Sequence, residues 1–197
     1  MDWERQPGQM YGLHGVPLPM QDFPGPGAGG DAAPAAVPDP AVVARQVVRE
    51  LVLPAPVIRT NPDEKAAQLV RVPTWMWLDP GMWRPVSKTA SVPGVSVTAT
   101  AIPRTVTWRM GDGSTVVCAG AGTPYSAQYA ADSASPDCGH TYLRSSAGQP
   151  REAYTVSVSV SWDVEWHGGG QQGVIPGQQS QAQVPLRVAE AQALVVS

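Results

Sequence analysis

The chain has 197 residues, room for one domain of ordinary size with extensions. Only 15% of residues are charged while Gly (20) and Pro (21) are abundant, a balance that favours turns and short strands over long helices. A formal net charge of −3 offers no basic footprint for phosphate contacts, so no nucleic acid is expected as partner.

Residues 1–38 carry the Gly25–Gly30 run, Pro34 and Pro38, with scattered aromatics at Trp3, Tyr11 and Phe23. Such a stretch cannot bury enough apolar surface to offset its ordering entropy, which predicts a disordered linker. The N-terminus shows neither a basic n-region nor an apolar h-region, and no run approaches the ~20 apolar residues of a membrane-spanning helix. An exported protein therefore expects a longer reading frame or a start placed within one.

Asp39 offers a capping oxygen and Pro40 a pre-set first helical φ, after which Val43, Val47 and Leu51 follow at helical spacing until Pro54. One short helix over about 40–52 is predicted. The block from Gln68 to Trp83 contains Trp75, Trp77 and Trp83 and reads as two short extended pieces interrupted by Pro73. In chain order the expected divisions are 1–38 linker, 39–91 helix plus Trp-rich extension, and 92–196 all-β domain.

From Val92 the chain alternates, with Val95, Val97, Ala99 and Ala101 on one face and Ser96, Thr98 and Thr100 on the other. A second strand is predicted at Val106, Trp108 and Met110. Gly111-Asp112-Gly113 follows, and Asp-Gly between apolar runs signals a tight hairpin because its turn needs positive φ. In Tyr154–Trp166 every even position is apolar or aromatic and every odd one polar, the pattern of an antiparallel strand with one buried face. Gly168–Gly173 reads as a loop, and a last strand within Gln181–Val188 or reaching Val196 is expected to pair with the long one.

Three segments in order carry a signature: Val106 to Gly113, then His140-Thr141-Tyr142, then the Tyr154-Thr155-Val156 strand. Together they resemble the PKD family, a strand ending in Gly-Asp-Gly, a His-Thr-Tyr element and a closing Tyr-Thr-Val strand. The resemblance covers about residues 92–166. Arg109-Met110 replaces the family's Asp-Phe, and Cys118–Cys138 bounds a longer insertion. It implies an immunoglobulin-like β-sandwich and an extracellular spacer or module contacting a protein or polysaccharide. The wider chain is similar to secreted actinobacterial proteins, some labelled ATP/GTP-binding. No Gly-x-x-x-x-Gly-Lys-Ser/Thr pattern accompanies the glycine runs, so no nucleotide and no other cofactor is expected.

Cys118 and Cys138 are the only cysteines and flank a Gly/Ala/Ser-rich insertion. A disulfide is the favoured reading; unpaired thiols and metal ligands, with His140 near, are the alternatives. A bridge would point to an extracellular or cell-envelope location. His140 reads as a packing and hydrogen-bonding residue rather than a catalytic one. Asp112 reads as a turn residue rather than a calcium ligand, since no acidic cluster surrounds it. Asp163 and Glu165 lie two apart on a wet face, and with His140 they are the residues on which an enzyme of extracellular or cell-wall glycans would rest. Trp108, Trp162 and Trp166 fall on buried positions. Trp75, Trp77 and Trp83 are the candidate recognition surface, since flat aromatic faces stack on sugars or anchor proteins. The expected function is a non-catalytic surface interaction or spacer module.

Overall fold

A computed structural model describes residues 37–190. The expected linker up to residue 36, and any extension of the last strand beyond residue 190, lie outside the described residues.

The fold is all-β with a single α-helix. Helix α1 (Pro40–Glu50) starts where Asp39 accepts a hydrogen bond from the Ala41 N–H and stops as Leu51 turns extended. It buries Val43, Ala44 and Val47. Strand β1 (Ile58–Asn61), β2 (Gln68–Leu69) and β3 (Pro73–Leu78) follow; β3 opens at Pro73, where a missing N–H costs a sheet least. Then come β4 (Val86–Val92), β5 (Val95–Arg109), β6 (Thr115–Cys118), β7 (Gly139–Thr141), β8 (Tyr154–Gly168), β9 (Gln171–Leu186) and β10 (Val188–Ala189).

The largest sheet runs β4-β5-β8-β9, with β6 also paired to β5. A second sheet has the order β1-β3-β7, and β10 pairs in parallel with β2. The alternation read from Tyr154–Trp166 is the burial pattern of β8: Tyr154, Val156, Val158, Val160, Trp162, Val164 and Trp166 are all buried. Ile58, Met76 and Leu78 of the smaller sheet, with Tyr142, belong to the same hydrophobic cluster, as do the inward residues of α1. Helix α1 packs against β5, whose inward residues include Val95, Val97, Ala99 and Ala101.

Three expectations are corrected. The two strands expected between Val92 and Met110 form one 15-residue strand, β5, because the break is only a bulge at Arg104 between Pro103↔Trp162 and Thr105↔Ser161. A strand not foreseen, β4, precedes it and turns at Pro93-Gly94, where Gly94 takes φ +87°. The connection after β5 is the expected hairpin, formed by residues 110–114 with Arg109 opposite Thr115. The loop expected over 168–173 is cut to Gly169-Gly170, since Gly168 pairs with Gln171 and β9 runs on for 16 residues. Backbone pairing to β8 imposes the strand there; Pro176 and Gly177 are absorbed opposite Asp163, between Trp162↔Gln178 and Val164↔Ile175.

Candidate functional site

The Gly-Asp-Gly and His-Thr-Tyr segments meet. In the loop after β5, the Met110 N–H donates to the Ser114 carbonyl and the Ser114 N–H to Asp112 Oδ1 at 2.9 Å. Gly111 and Gly113 hold φ +81° and +96°, a region where other residues are strained. Asp112 Oδ2 then lies 2.8 Å from His140 Nε2 on β7, and the two side chains are only 17% and 12% exposed. Burial pushes the Asp112 carboxyl up, but the Ser114 N–H and the His140 ring outweigh it, and its pKa lies below the ordinary aspartate value. Beneath the pair, the Tyr142 hydroxyl donates to the Met110 carbonyl at 3.2 Å, and its ring stacks on Tyr154 at 5.2 Å. Burial, with smaller contributions from the Asp112 charge and Tyr154, keeps that hydroxyl protonated far above the ordinary tyrosine range. The arrangement ties a hairpin loop to the second sheet, and the His140 side-chain hydrogen bond found among the described residues is the one to Asp112.

Cys118 and Cys138 form a disulfide, with Cα atoms 5.7 Å apart. The bridge closes residues 119–137 into a flap over one face of β3. The Leu78 N–H donates to the Ala121 carbonyl and the Met76 N–H to the Cys138 carbonyl. Gly122 runs so close that a Cβ there would sit 2.5 Å from the Met76 carbonyl oxygen. The Asp137 carboxylate pins the two ends of the flap by accepting from the Thr123 N–H and hydroxyl at 3.0 and 2.9 Å.

Met76 and Leu78 enter the main core, so the period of two turns Trp75 and Trp77 to the flap side. Trp75 is 1% exposed, covered edge-on by Tyr125 (5.3 Å) and by Tyr129 (4.6 Å), and its indole N–H donates to the Ser133 carbonyl at 2.6 Å. This corrects its place in the candidate surface: Trp75 is the centre of a small aromatic core. Trp83 is half-buried and packs against the main cluster. Trp77 is half-buried outside that cluster, beside Gly122 of the flap. Tyr125 and Tyr129, also half-buried, were missed in the sequence; as the only aromatics in a Gly/Ala/Ser-rich insertion, they were the signal available.

Trp108, Trp162 and Trp166 are buried, and the Trp162 indole N–H donates to Ser180 Oγ at 3.0 Å. Asp163 and Glu165 stand on the opposite face of β8, both held by the bulged Arg104 at 3.0 and 3.4 Å. Among the described residues no three His, Cys, Asp or Glu side chains converge as a metal site would require, and no helix is long and apolar enough to cross a membrane. No family model, no curated protein and no solved structure matches this chain.

Proposed function

We propose that this chain is an immunoglobulin-like, PKD-type β-sandwich exposed outside the cell or in its envelope, and that it acts as an interaction module for a polysaccharide or protein partner. The observation that carries the reading is the flap side of β3, where Trp77, Tyr125 and Tyr129 stay partly exposed beside a flap closed by a disulfide. Rigid aromatic faces give large contact area with little entropy to lose, the chemistry suited to stacking on sugar rings. The disulfide supports an oxidising compartment. The glycan-hydrolase reading has less to rest on: Arg104 occupies both Asp163 and Glu165, and Asp112 occupies His140. Retention of the chain on insoluble cell-wall polysaccharide tests the proposal. The parent is retained and Trp77→Ala is released at least tenfold more readily; retention by neither, with a protein captured instead through Trp77, moves the partner to the protein class.

A further inference from the structure

The end of the domain where β2, β10 and the segment after β7 converge carries side chains that the flap surface does not use. The Arg71 N–H donates to the Tyr142 carbonyl at 2.8 Å, which brings the Arg71 backbone to the segment that continues into Leu143 and Arg144. Leu143 is 74% exposed, and both arginines are exposed. The Gln68 N–H on the Arg187 carbonyl (2.8 Å) and the Ser146 N–H on the Val188 carbonyl (3.0 Å) draw Arg187 and the 145–152 loop to the same end. Arg151 caps that loop in the short turn Pro150–Glu152.

Two further observations single this end out. Among the described residues, the three non-glycine positions with left-handed backbone are Arg71 (φ 65°), Arg151 (φ 58°) and Glu152 (φ 53°), and all three lie here. Such backbone is unfavourable for residues with a Cβ and persists only where its surroundings impose it. Of the four arginines, Arg187 alone approaches an acid, Glu152 at 4.0 Å, and both are exposed; Arg71, Arg144 and Arg151 have no acidic partner among the described residues.

Guanidinium groups match phosphate geometry through paired N–H donors. A soluble phosphate polymer would engage the arginines but draw nothing from an exposed leucine set among them. An anionic bilayer uses both, with the apolar side chain entering the interface and the cations held at the headgroups. We infer that this end is a membrane-contact surface for anionic phospholipid, with Leu143 entering the interface and Arg71, Arg144 and Arg151 on headgroup phosphates.

The test is co-sedimentation of the full chain with phosphatidylglycerol/phosphatidylcholine vesicles, with pure phosphatidylcholine as control and soluble polyphosphate as competitor. The inference expects binding to the anionic vesicles alone, weakening as salt rises. Arg71→Gln/Arg144→Gln weakens it roughly 25-fold, at about fivefold per arginine. Leu143→Ser weakens it severalfold while leaving the salt dependence unchanged, and melting curves of both variants overlay the parent. Absence of binding to anionic vesicles overturns the inference, as does binding that survives the double arginine change. If Leu143→Ser binds as the parent does and polyphosphate competes fully, the partner is a soluble polyanion and the membrane assignment fails. None of these outcomes depends on Trp77.

Discussion

His140 Nε2 stands 2.8 Å from Asp112 Oδ2 and so joins β7 to the hairpin loop after β5 across 28 residues of sequence. The Asp112 pKa is depressed in the fold, so its stabilising contribution is complete above the unfolded value and is lost as pH falls through the folded one. Asp112→Ala therefore costs about 1–2 kcal/mol in urea unfolding at neutral pH. The gap between parent and variant closes progressively below about pH 4. A gap that holds constant into strong acid would contradict the assignment of that stability to the ionised carboxylate.

The same loop separates backbone strain from steric exclusion. Gly111 and Gly113 both have left-handed φ, but a Cβ on Gly111 would lie 2.9 Å from Tyr154 Cβ and 3.0 Å from the Thr155 carbonyl oxygen, while one on Gly113 meets nothing within 4 Å. Gly113→Ala is expected to cost about 1 kcal/mol from φ alone. Gly111→Ala adds a clash with backbone that cannot give way, for a total of about 2–3 kcal/mol. Equal losses in thermal unfolding would show that the loop shifts as a unit.

The disulfide anchors the flap. In the chain-entropy account, closing a loop of about 20 residues contributes roughly 3 kcal/mol, and Cys118→Ala/Cys138→Ala is expected to lose about that much unfolding free energy, with a steeper denaturant slope as the unfolded chain expands. Intact mass after alkylation of never-reduced protein is expected to show no adduct. Two reactive thiols on folded protein would remove both the bridge and the argument for an oxidising compartment.

Burial of Trp75 changes what its substitution does. Trp75→Ala is expected to cost about 3–5 kcal/mol, comparable to Trp162→Ala, since both indoles are buried and hydrogen-bonded, to the Ser133 carbonyl and Ser180 Oγ respectively. Trp77→Ala is expected to cost less than either, since its indole is only part-buried. Equal, small losses for Trp75 and Trp77 in urea unfolding would mean that the flap does not hold Trp75 in solution.

Local patterns carried most of the fold. Strand β8 was legible because strict alternation from Tyr154 to Trp166 has one physical reading, and α1 because Asp39, Pro40 and the valine spacing agree. Of strand β9 only the end from Gln181, expected to pair with β8, was legible; the stretch before it was not, because its glutamines, Pro176 and Gly177 have weak strand preference and take their conformation from β8. Continuity of β5 was hidden by Pro103 and the bulged Arg104, which mimic a strand break. The Cys118–Cys138 pairing could be read from composition, but the burial of Trp75 could not. Its cover arrives from Tyr125 and Tyr129, and its hydrogen-bond acceptor from Ser133, 58 residues later, in a segment with no periodic apolar signal.

The central claim is that ligand is read on the flap side of β3 by Trp77. The most direct measurement labels the seven tryptophans with 5-fluorotryptophan and follows each assigned fluorine resonance as cell-wall polysaccharide is titrated into the full chain. The account predicts a progressive shift of Trp77, with Trp108, Trp162 and Trp166 unmoved because the core shields them. Saturable binding that leaves Trp77 unmoved would contradict it and place recognition on another surface.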